Sequence, residues 1–250
     1  MFISSPLEQF QILPLIPLRF GNLDLSFTNS ALIGIISCTL VLLLMQMLMQ
    51  TETGAHVVPN RWQVIIEGIY EMISGMLNDN IGPRGQQYFP FVFVLFTFIL
   101  ACNVIGLVPY SFTVTSHLCV TLMLSMIVFV ALNIILVREH GLHAFSLFLP
   151  PGSSLALAPL LVPIELVSHI FKLISLSVRL FANLMAGHTL LKVIAGFGWS
   201  MMAGGMFFSH FMPLATLYLL FGLELGVAII QAYVFTILTC IFLNDAVNLH

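Results

Sequence analysis

The sequence predicts an all-α integral membrane protein with five membrane-spanning helices and one interfacial amphipathic helix. The chain is 60% hydrophobic and 7% charged, with a mean hydropathy of +1.09, which lies outside the range of soluble globular domains. Its apolar residues also form separate runs of about 20 residues, the length needed to cross a bilayer. Little sequence remains between these runs, so residues 1–250 are expected to form a single membrane domain.

The first two elements differ in character. Residues 30–49 form an apolar run and are predicted to be the first span. Residues 60–78 read NRWQVIIEGIYEMISGMLN, in which polar and apolar positions alternate at helical spacing. This pattern is typical of a helix that lies in the membrane interface, where Trp62 is a natural anchor.

Two spans of ordinary length follow. Residues 89–108 are predicted to cross the membrane and to end at Pro109. Residues 117–137 are predicted to cross it again and to end at the charged cluster Arg138-Glu139-His140.

The last two apolar segments, residues 155–196 and 206–243, are longer than a span requires. The glycine-rich stretch GFGWSMMAGG (196–205) is predicted to make the turn between them. Residues 163–196 alone would form a helix of about 50 Å, against a hydrocarbon core of about 30 Å. Since no proline interrupts them after Pro163 and Pro213, we expect a continuous, strongly tilted hairpin rather than broken helices.

Positive charges in the loops predict the orientation. With the N-terminus outside, the inner loops carry Arg61, Arg84 and Arg138, whereas the outer loops carry only Arg19. Because Lys and Arg are enriched in inner loops, the N-terminus is expected outside and the C-terminus inside.

Several classes of function are disfavoured. The net charge of −3 includes no basic block suited to nucleic acid. The four cysteines form no C-x-x-C pair, and Glu165 and His169 have metal-pair spacing but no evident third ligand. We therefore expect no metal and no cofactor. The chain also has no nucleotide loop of the G-x-x-x-x-G-K-[ST] type, so we do not expect it to make ATP itself.

Arg179 is the most informative residue, because it lies in the middle of an apolar segment. A cation at bilayer depth costs roughly 2.5–3.5 kcal/mol on insertion scales, and a guanidinium stays charged at physiological pH. Arg179 should therefore face protein, water or a counter-charge, and a role in managing ions or protons is favoured.

Other polar residues lie in register with Arg179. Glu165 and Lys172 precede it at seven-residue intervals, hence on nearly one helical face, and Asn183 follows it by one turn. Ser175 and His169 are further polar candidates on this helix. His188 is nine positions from Arg179 and should point to the opposite side, towards a neighbouring helix.

The last helix carries a second polar stripe of Glu224, Gln231 and Asp245. In an antiparallel hairpin, His188 and Glu224 would lie in the outer half of the membrane, and Glu165 and Asp245 near its inner end. Carboxylates and imidazoles exchange protons with water, whereas guanidinium does not. Two titratable clusters separated by a fixed cation would force a proton to leave the chain and ride a carrier.

Structural alternatives remain for each of these residues. Arg179 could simply fix helix packing, and His188 and Glu224 could be interhelical hydrogen-bond partners. Glu165 and Asp245 could be solvated charges at helix ends, and Lys172 could extend to the interface. His140 and His143 fit a loop. A secondary transporter is disfavoured because no inverted repeat is visible, and a purely structural subunit would not need polar stripes at matched depths.

Four segments resemble subunit a of F-type ATP synthases, and the similarity covers essentially the whole chain. They are SLSVRLFANLMAGH (175–188), LELGVAIIQAYVF (223–235), NVIGLVP (103–109) and PIELVSH (163–169). The arrangement of His188 with Glu224 resembles mitochondrial members, as does the opening SPLEQFQILPLIP.

The resemblance implies a role for each candidate. Arg179 would be the stator arginine facing the ring of c subunits, with Asn183 and Gln231 as its polar neighbours. His188 and Glu224 would belong to the outer half-channel, and Glu165 and Asp245 to the inner one. The implied partners are the c-ring carboxylates, the peripheral stalk, other membrane subunits and lipid. The implied location is the mitochondrial inner membrane or, as the alternative, a bacterial inner membrane.

Overall fold

A computed structural model describes residues 6–21, 23–49, 61–108, 111–141, 158–205 and 211–248. In these ranges the α-helices are α1 (Asn29–Met49), α2 (Arg61–Ile81), α3 (Phe89–Gly106), α4 (Leu118–His140), α5 (Ala158–Ala203) and α6 (Phe211–Val247). Short 3₁₀ turns cover Pro6–Phe10, Pro83–Tyr88 and Val114–Ser116. The prediction of an all-α membrane protein is confirmed.

Four of the described helical segments are long and apolar enough to cross a membrane. They are Pro83–Gly106, Leu118–His140, Leu160–Ala203 and Phe211–Val247. Helix α1 is 21 residues long and is apolar over Asn29–Leu43. The chain is therefore a multi-span membrane protein, with four candidate spans and the apolar helix α1 in its described part. The expected count of five spans stays a prediction.

A small β-structure that the sequence analysis did not predict precedes α1. Strand β1 (Pro14–Ile16) pairs antiparallel with β4 (Phe27–Thr28), and β2 (Arg19–Phe20) pairs antiparallel with β3 (Leu23–Asp24). Asn29 fastens this structure to the start of α1: its Oδ1 accepts a hydrogen bond from the Leu13 amide at 3.2 Å, and its Nδ2 donates to the Gln11 carbonyl at 3.1 Å. These two hydrogen bonds hold the segment with the strands at the N-terminal end of α1.

Helix α2 is amphipathic, in agreement with its sequence pattern. Ile73, Met76, Leu77 and Ile81 are buried at helical spacing, while Glu67 on the exposed part accepts a hydrogen bond from Gln63 at 2.7 Å. The helix ends three residues later than the predicted position 78, and position 60 lies outside the described residues.

The predicted turn at residues 196–205 is wrong for most of its length, because α5 continues to Ala203. Gly204 and Gly205 follow the helix as a turn, and Gly205 has a φ of 78°, which favours glycine. Glycine inside a helix costs only about 1 kcal/mol relative to alanine, whereas a backbone hydrogen bond lost in lipid costs several. Gly196 is therefore accommodated, and the 46 residues of α5 extend over about 69 Å at 1.5 Å per residue.

Pro163 lies inside α5 without ending it, which supports the expectation of unbroken final helices. The helix-starting positions 155–157 and the connection 206–210 lie outside the described residues.

The chain divides into two compact units, each assembled from three stretches of sequence. Unit 1 comprises Met1–Gln46, Thr97–Val120 and Leu180–Ala232, and unit 2 comprises Met47–Phe96, Thr121–Arg179 and Tyr233–His250. Unit 1 has a core that includes Ile99, Leu184 and Ala228, and unit 2 has one that includes Leu77, Phe235 and Leu243. Along α5, the chain passes from unit 2 to unit 1 immediately after Arg179.

Candidate functional site

Arg179 lies on the exposed face of α5, well inside the spanning segment Leu160–Ala203. Ser175, one turn before it, is also exposed, as is Asn183, one turn after it. The Arg179 side chain makes no hydrogen bond and no ion pair with another described residue. A guanidinium at bilayer depth is thus presented on an open helical face.

The two predicted outer residues come together in unit 1. Glu224 on α6 is 4% exposed, and its Oε1 lies 3.6 Å from Nδ1 of the half-buried His188 on α5. Neither carboxyl oxygen of Glu224 has a hydrogen-bond partner among the described residues. Buried polar atoms are usually satisfied, so this carboxyl group requires a separate explanation.

Gly187 makes room for that carboxyl group. A Cβ atom at position 187 would lie 2.6 Å from Oε1 of Glu224, closer than any real Cβ contact. Only glycine therefore permits this approach of α5 to the Glu224 side chain.

The other ring nitrogen of His188, Nε2, lies 3.2 Å from the hydroxyl oxygen of Thr113. Thr113 belongs to the connection between α3 and α4, where Thr115 is also buried. The Thr115 hydroxyl donates to Oδ1 of Asn103 at 3.1 Å, and Nδ2 of Asn103 donates to the Ala228 carbonyl at 3.2 Å. Asn103 is thus fully buried and hydrogen-bonded through both ends of its amide.

Asn183 and Gln231 also meet within unit 1, as partners 48 positions apart in the chain. Nδ2 of Asn183 donates to Oε1 of the buried Gln231 at 2.9 Å. Asn183 and Glu224 also share a small pocket, lined by Asn183, Gly187, Leu190, Leu191, Leu220, Leu223, Glu224 and Val227. The unpartnered carboxyl group of Glu224 thus lies at the wall of a pocket.

Three polar candidates line a cleft in unit 2. The cleft is formed by α4, α5 and α6 and lined by Ser125, Val128, Phe129, Leu132, Asn133, Leu136, His169, Lys172, Leu173, Leu176, Phe242, Asp245 and Ala246. Asp245 is half-buried there, as is His169. Glu165 is half-buried one turn before His169 and does not line the cleft.

Aromatic rings hold the two basic side chains of this cleft. Nζ of Lys172 lies 5.4 Å from the centroid of the Phe242 ring, within cation–π range. The His169 ring packs at an angle against Phe129, with 5.3 Å between ring centroids. The Lys172 stem and head therefore lie against protein on one side, although the residue as a whole is exposed.

Two contacts organise the ends of the helices in unit 2. Nε2 of His140, at the end of α4, lies 3.2 Å from the carbonyl of Val247 in the last turn of α6. The Tyr88 hydroxyl donates to Glu139 at 2.9 Å. His140 therefore touches α6, two residues from Asp245, rather than standing free in a loop. His143 lies outside the described residues.

Thr113 and Gly187 are site residues that the sequence alone did not predict. Thr113 lies in an irregular connection where no periodicity applies, and the only signal was a run of hydroxyl and imidazole residues, SFTVTSH (111–117), between two apolar spans. In the described part of the chain, no three His, Cys, Asp or Glu side chains cluster closely enough to hold a metal ion.

Comparison with known proteins assigns the family. Residues 31–244 match the family model for the ATP synthase A chain. The chain is 54% identical over 249 residues to ATP synthase subunit a of Pylaiella littoralis, with 99% of each chain covered. It is 51% identical to that of Marchantia polymorpha, covering 98% of this chain and 99% of the relative, and 48% identical to that of Chondrus crispus, covering 99% and 98%. With a matching family model over most of its length and relatives near half identity throughout, the chain belongs to the ATP synthase A chain family.

Proposed function

We propose that this chain is the proton-conducting stator subunit in the membrane sector of an F-type ATP synthase. It would offer two offset half-channels to a ring of c subunits and keep them apart with Arg179. Proton flow through the half-channels would turn the ring and drive ATP synthesis elsewhere in the complex.

The exposed guanidinium of Arg179 is the observation that carries this proposal. It lies in a spanning helix and has no partner among the described residues. Because a fixed charge at this depth requires a counter-charge or water, its partner must come from outside the described part of this chain. A carboxylate on each c subunit meets that requirement, since it pairs with the arginine when ionised and leaves it when protonated.

The pair of His188 and Glu224 suits the outer half-channel. A buried carboxyl group without a hydrogen bond can take up a proton at little cost and release it again, and an imidazole 3.6 Å away can deliver one. Asn183 lies between Arg179 and His188 in the sequence of α5 and bonds Gln231, and the amides of both residues can orient water or the visiting carboxyl group.

The cleft in unit 2 suits the inner half-channel. Asp245 would receive the outgoing proton there, with Glu165 near the inner end of α5. His169 and Lys172 line the same cleft as Asp245. Ser175 would support the approach of the ring as a small polar residue beside Arg179.

The proposed cycle follows from these groups. A proton enters by His188 and Glu224 and neutralises a c-subunit carboxylate, which can then enter the lipid as the ring turns. After almost a full turn that carboxyl group meets the inner path and releases its proton, because the cation of Arg179 favours its ionised form. Each charge crossing yields about 2.3 kcal/mol per 100 mV, so each ATP requires several protons.

We place the complex in the mitochondrial inner membrane, with the N-terminus towards the intermembrane space and the C-terminus towards the matrix. The arrangement of His188 and Glu224 and the loop charges support this placement. The partners would be the c-ring, the peripheral stalk and the other membrane subunits, with lipid around the exposed apolar faces.

Replacing the stator charge tests the proposal. In the intact complex, Arg179→Ala should abolish proton-driven ATP synthesis while the complex still assembles, because nothing would then separate the two paths or attract the ring carboxylates. Arg138→Ala, which removes an exposed arginine at the end of α4, is the matched control and should retain synthesis. Normal coupled synthesis by an assembled Arg179→Ala complex would overturn the stator role.

A further inference from the structure

We infer that Thr113 is a positioning residue that orients the His188 ring, so that Nδ1 faces Glu224 and proton exchange takes place at that nitrogen. The inference deepens the proposed function, on which it rests. It starts from two distances at opposite ends of one imidazole: Nε2 lies 3.2 Å from the Thr113 hydroxyl, and Nδ1 lies 3.6 Å from Oε1 of Glu224.

The contact with Glu224 does not hold the ring by itself. A separation of 3.6 Å exceeds that of a hydrogen bond, and Glu224 has no other partner among the described residues to fix its carboxyl group. The Thr113 contact is within hydrogen-bonding distance. Thr113 therefore defines which edge of the His188 ring faces the carboxyl group.

A hydroxyl group suits this task because it can both donate and accept. The Thr113 hydroxyl also lies 3.3 Å from the carbonyl oxygen of Gly106, an alternative acceptor for its proton. When Nε2 carries a proton, the hydroxyl accepts from it and donates to Gly106. When Nε2 is bare, the hydroxyl donates to it. The ring is thus held at Nε2 in both neutral tautomers and as imidazolium, while Nδ1 remains available to exchange a proton with Glu224.

The connection between α3 and α4 is built to hold Thr113 in place. The hydroxyl of Ser116 donates to the Thr113 carbonyl at 2.6 Å, and Thr113 itself is only 4% exposed. A Cβ atom at Gly106 would lie 2.7 Å from Cγ2 of Thr113. The sequence therefore leaves room at Gly106 for this threonine, and the conformation of the connection fixes its direction.

The test compares variants of the intact, membrane-embedded complex by proton-driven ATP synthesis per assembled complex. Thr113→Val keeps the shape of the side chain but removes the hydroxyl group, and it should lower the rate roughly fivefold, the effect of one hydrogen bond. Thr113→Ser retains the hydroxyl and should restore most of the rate. Thr189→Val is the matched control, because the Thr189 hydroxyl bonds only to carbonyls of its own helix, and it should leave the rate unchanged.

Each outcome has one meaning. Equal rates for Thr113→Val and the unaltered complex would overturn the inference, and so would equal losses in the valine and serine variants, which would indicate packing alone. Thr113→Ala, smaller than either, replaces the valine variant if that complex does not assemble. Glu224→Gln is measured alongside: if it leaves the rate intact, the proposed half-channel fails, whereas a loss there with a neutral Thr113→Val overturns only the role of Thr113.

Discussion

At the scale of single residues, the site depends on side chains that are buried without the partners a soluble protein would give them. Glu224 is 4% exposed, and neither of its carboxyl oxygens has a hydrogen bond among the described residues. Burying such a group costs free energy, and that cost is understandable where a group must bind and release a proton in turn. A fully satisfied carboxylate would hold its charge instead.

The space around Glu224 is accordingly sensitive to single methyl groups. Gly187→Ala would place a Cβ atom 2.6 Å from Oε1 and force the carboxyl group or α5 to move. Because the carboxyl group would be displaced from its position 3.6 Å from Nδ1 of His188, we expect proton-driven ATP synthesis per assembled complex to fall by roughly tenfold. Gly196→Ala on the same helix meets no atom within 4 Å and should have no effect. Equal rates for both variants would show that Glu224 adapts freely.

His117 provides a pH-dependent prediction outside the spanning segments. Burial lowers the pKa of His117 below its ordinary value of 6.5, and its ring stacks on Phe112 at 5.0 Å between centroids. The unfolded connection therefore binds more protons than the folded one as the pH falls through 6.5, and stability is lost in that direction.

Hydrogen exchange of the peptide that covers residues 111–117 measures this effect. In the unaltered chain, protection should decrease as the pH is lowered from 7.5 to about 5.5, after correction for the intrinsic exchange rate. This direction follows because burial lowers the pKa of His117 in the folded connection. His117→Asn removes the titrating group, and its protection should be insensitive to pH over this range. The same pH response in both chains would assign the effect to another group.

At the scale of secondary structure, the sequence predicted which segments are helical better than where they end. Apolar runs of sufficient length predicted α3, α4, α5 and α6. A single segment that crosses lipid has to satisfy its own backbone hydrogen bonds, and the α-helix does so. The end of α5 was placed at Gly196, but the helix continues to Ala203. Glycines occur at positions 196 and 198 and again at positions 204 and 205, and nothing in the local sequence showed which of these pairs follows the end of the helix. The β-strands before α1 are too short to show the alternation of polar and apolar residues by which a strand is recognised; β1, for example, has three residues.

The candidate site was predictable along each helix but not between helices. The seven-residue spacing of Glu165, Lys172 and Arg179 applies because α5 is unbroken. By contrast, the hydrogen bond from Asn183 to Gln231 depends on the register of α5 against α6, which no spacing within either helix reveals. Thr113 lies outside any helix, so neither argument could have found it.

Asn103 links three of these elements and allows a test at this scale. Its side chain bonds Thr115 of the connection and the Ala228 carbonyl of α6, and it is fully buried on α3. Asn103→Leu would leave the Thr115 hydroxyl without its acceptor, and we expect a loss of about 1–3 kcal/mol, measured as reduced thermal stability of the assembled complex. Asn80→Leu is the control, because the Asn80 amide bonds only a carbonyl of its own helix. Equal stabilities would mean that the connection finds other partners.

At the scale of the whole molecule, each titratable cluster is contained in one compact unit. His188, Glu224 and their neighbours all belong to unit 1, and the cleft with Asp245 belongs to unit 2. The helices that carry both clusters are the same two, since α5 and α6 each contribute to both units. A long hairpin can thus supply two separate polar regions, with Arg179 as the last residue of α5 before the chain enters unit 1.

The proposed pair of half-channels predicts that Glu224 and Asp245 are reached by water from opposite sides of the membrane. In a chain whose native Cys38, Cys102, Cys119 and Cys240 are replaced by serine, Glu224→Cys and Asp245→Cys place one thiol in each region. An uncharged, water-soluble maleimide too large to diffuse through lipid should label Glu224→Cys only when added to the outer side of sealed vesicles, and Asp245→Cys only when added to the inner side. The serine chain without a new cysteine is the control for background labelling. A continuous water-filled channel would let the reagent reach either thiol from both sides, and labelling of that kind would contradict the separation into two half-channels.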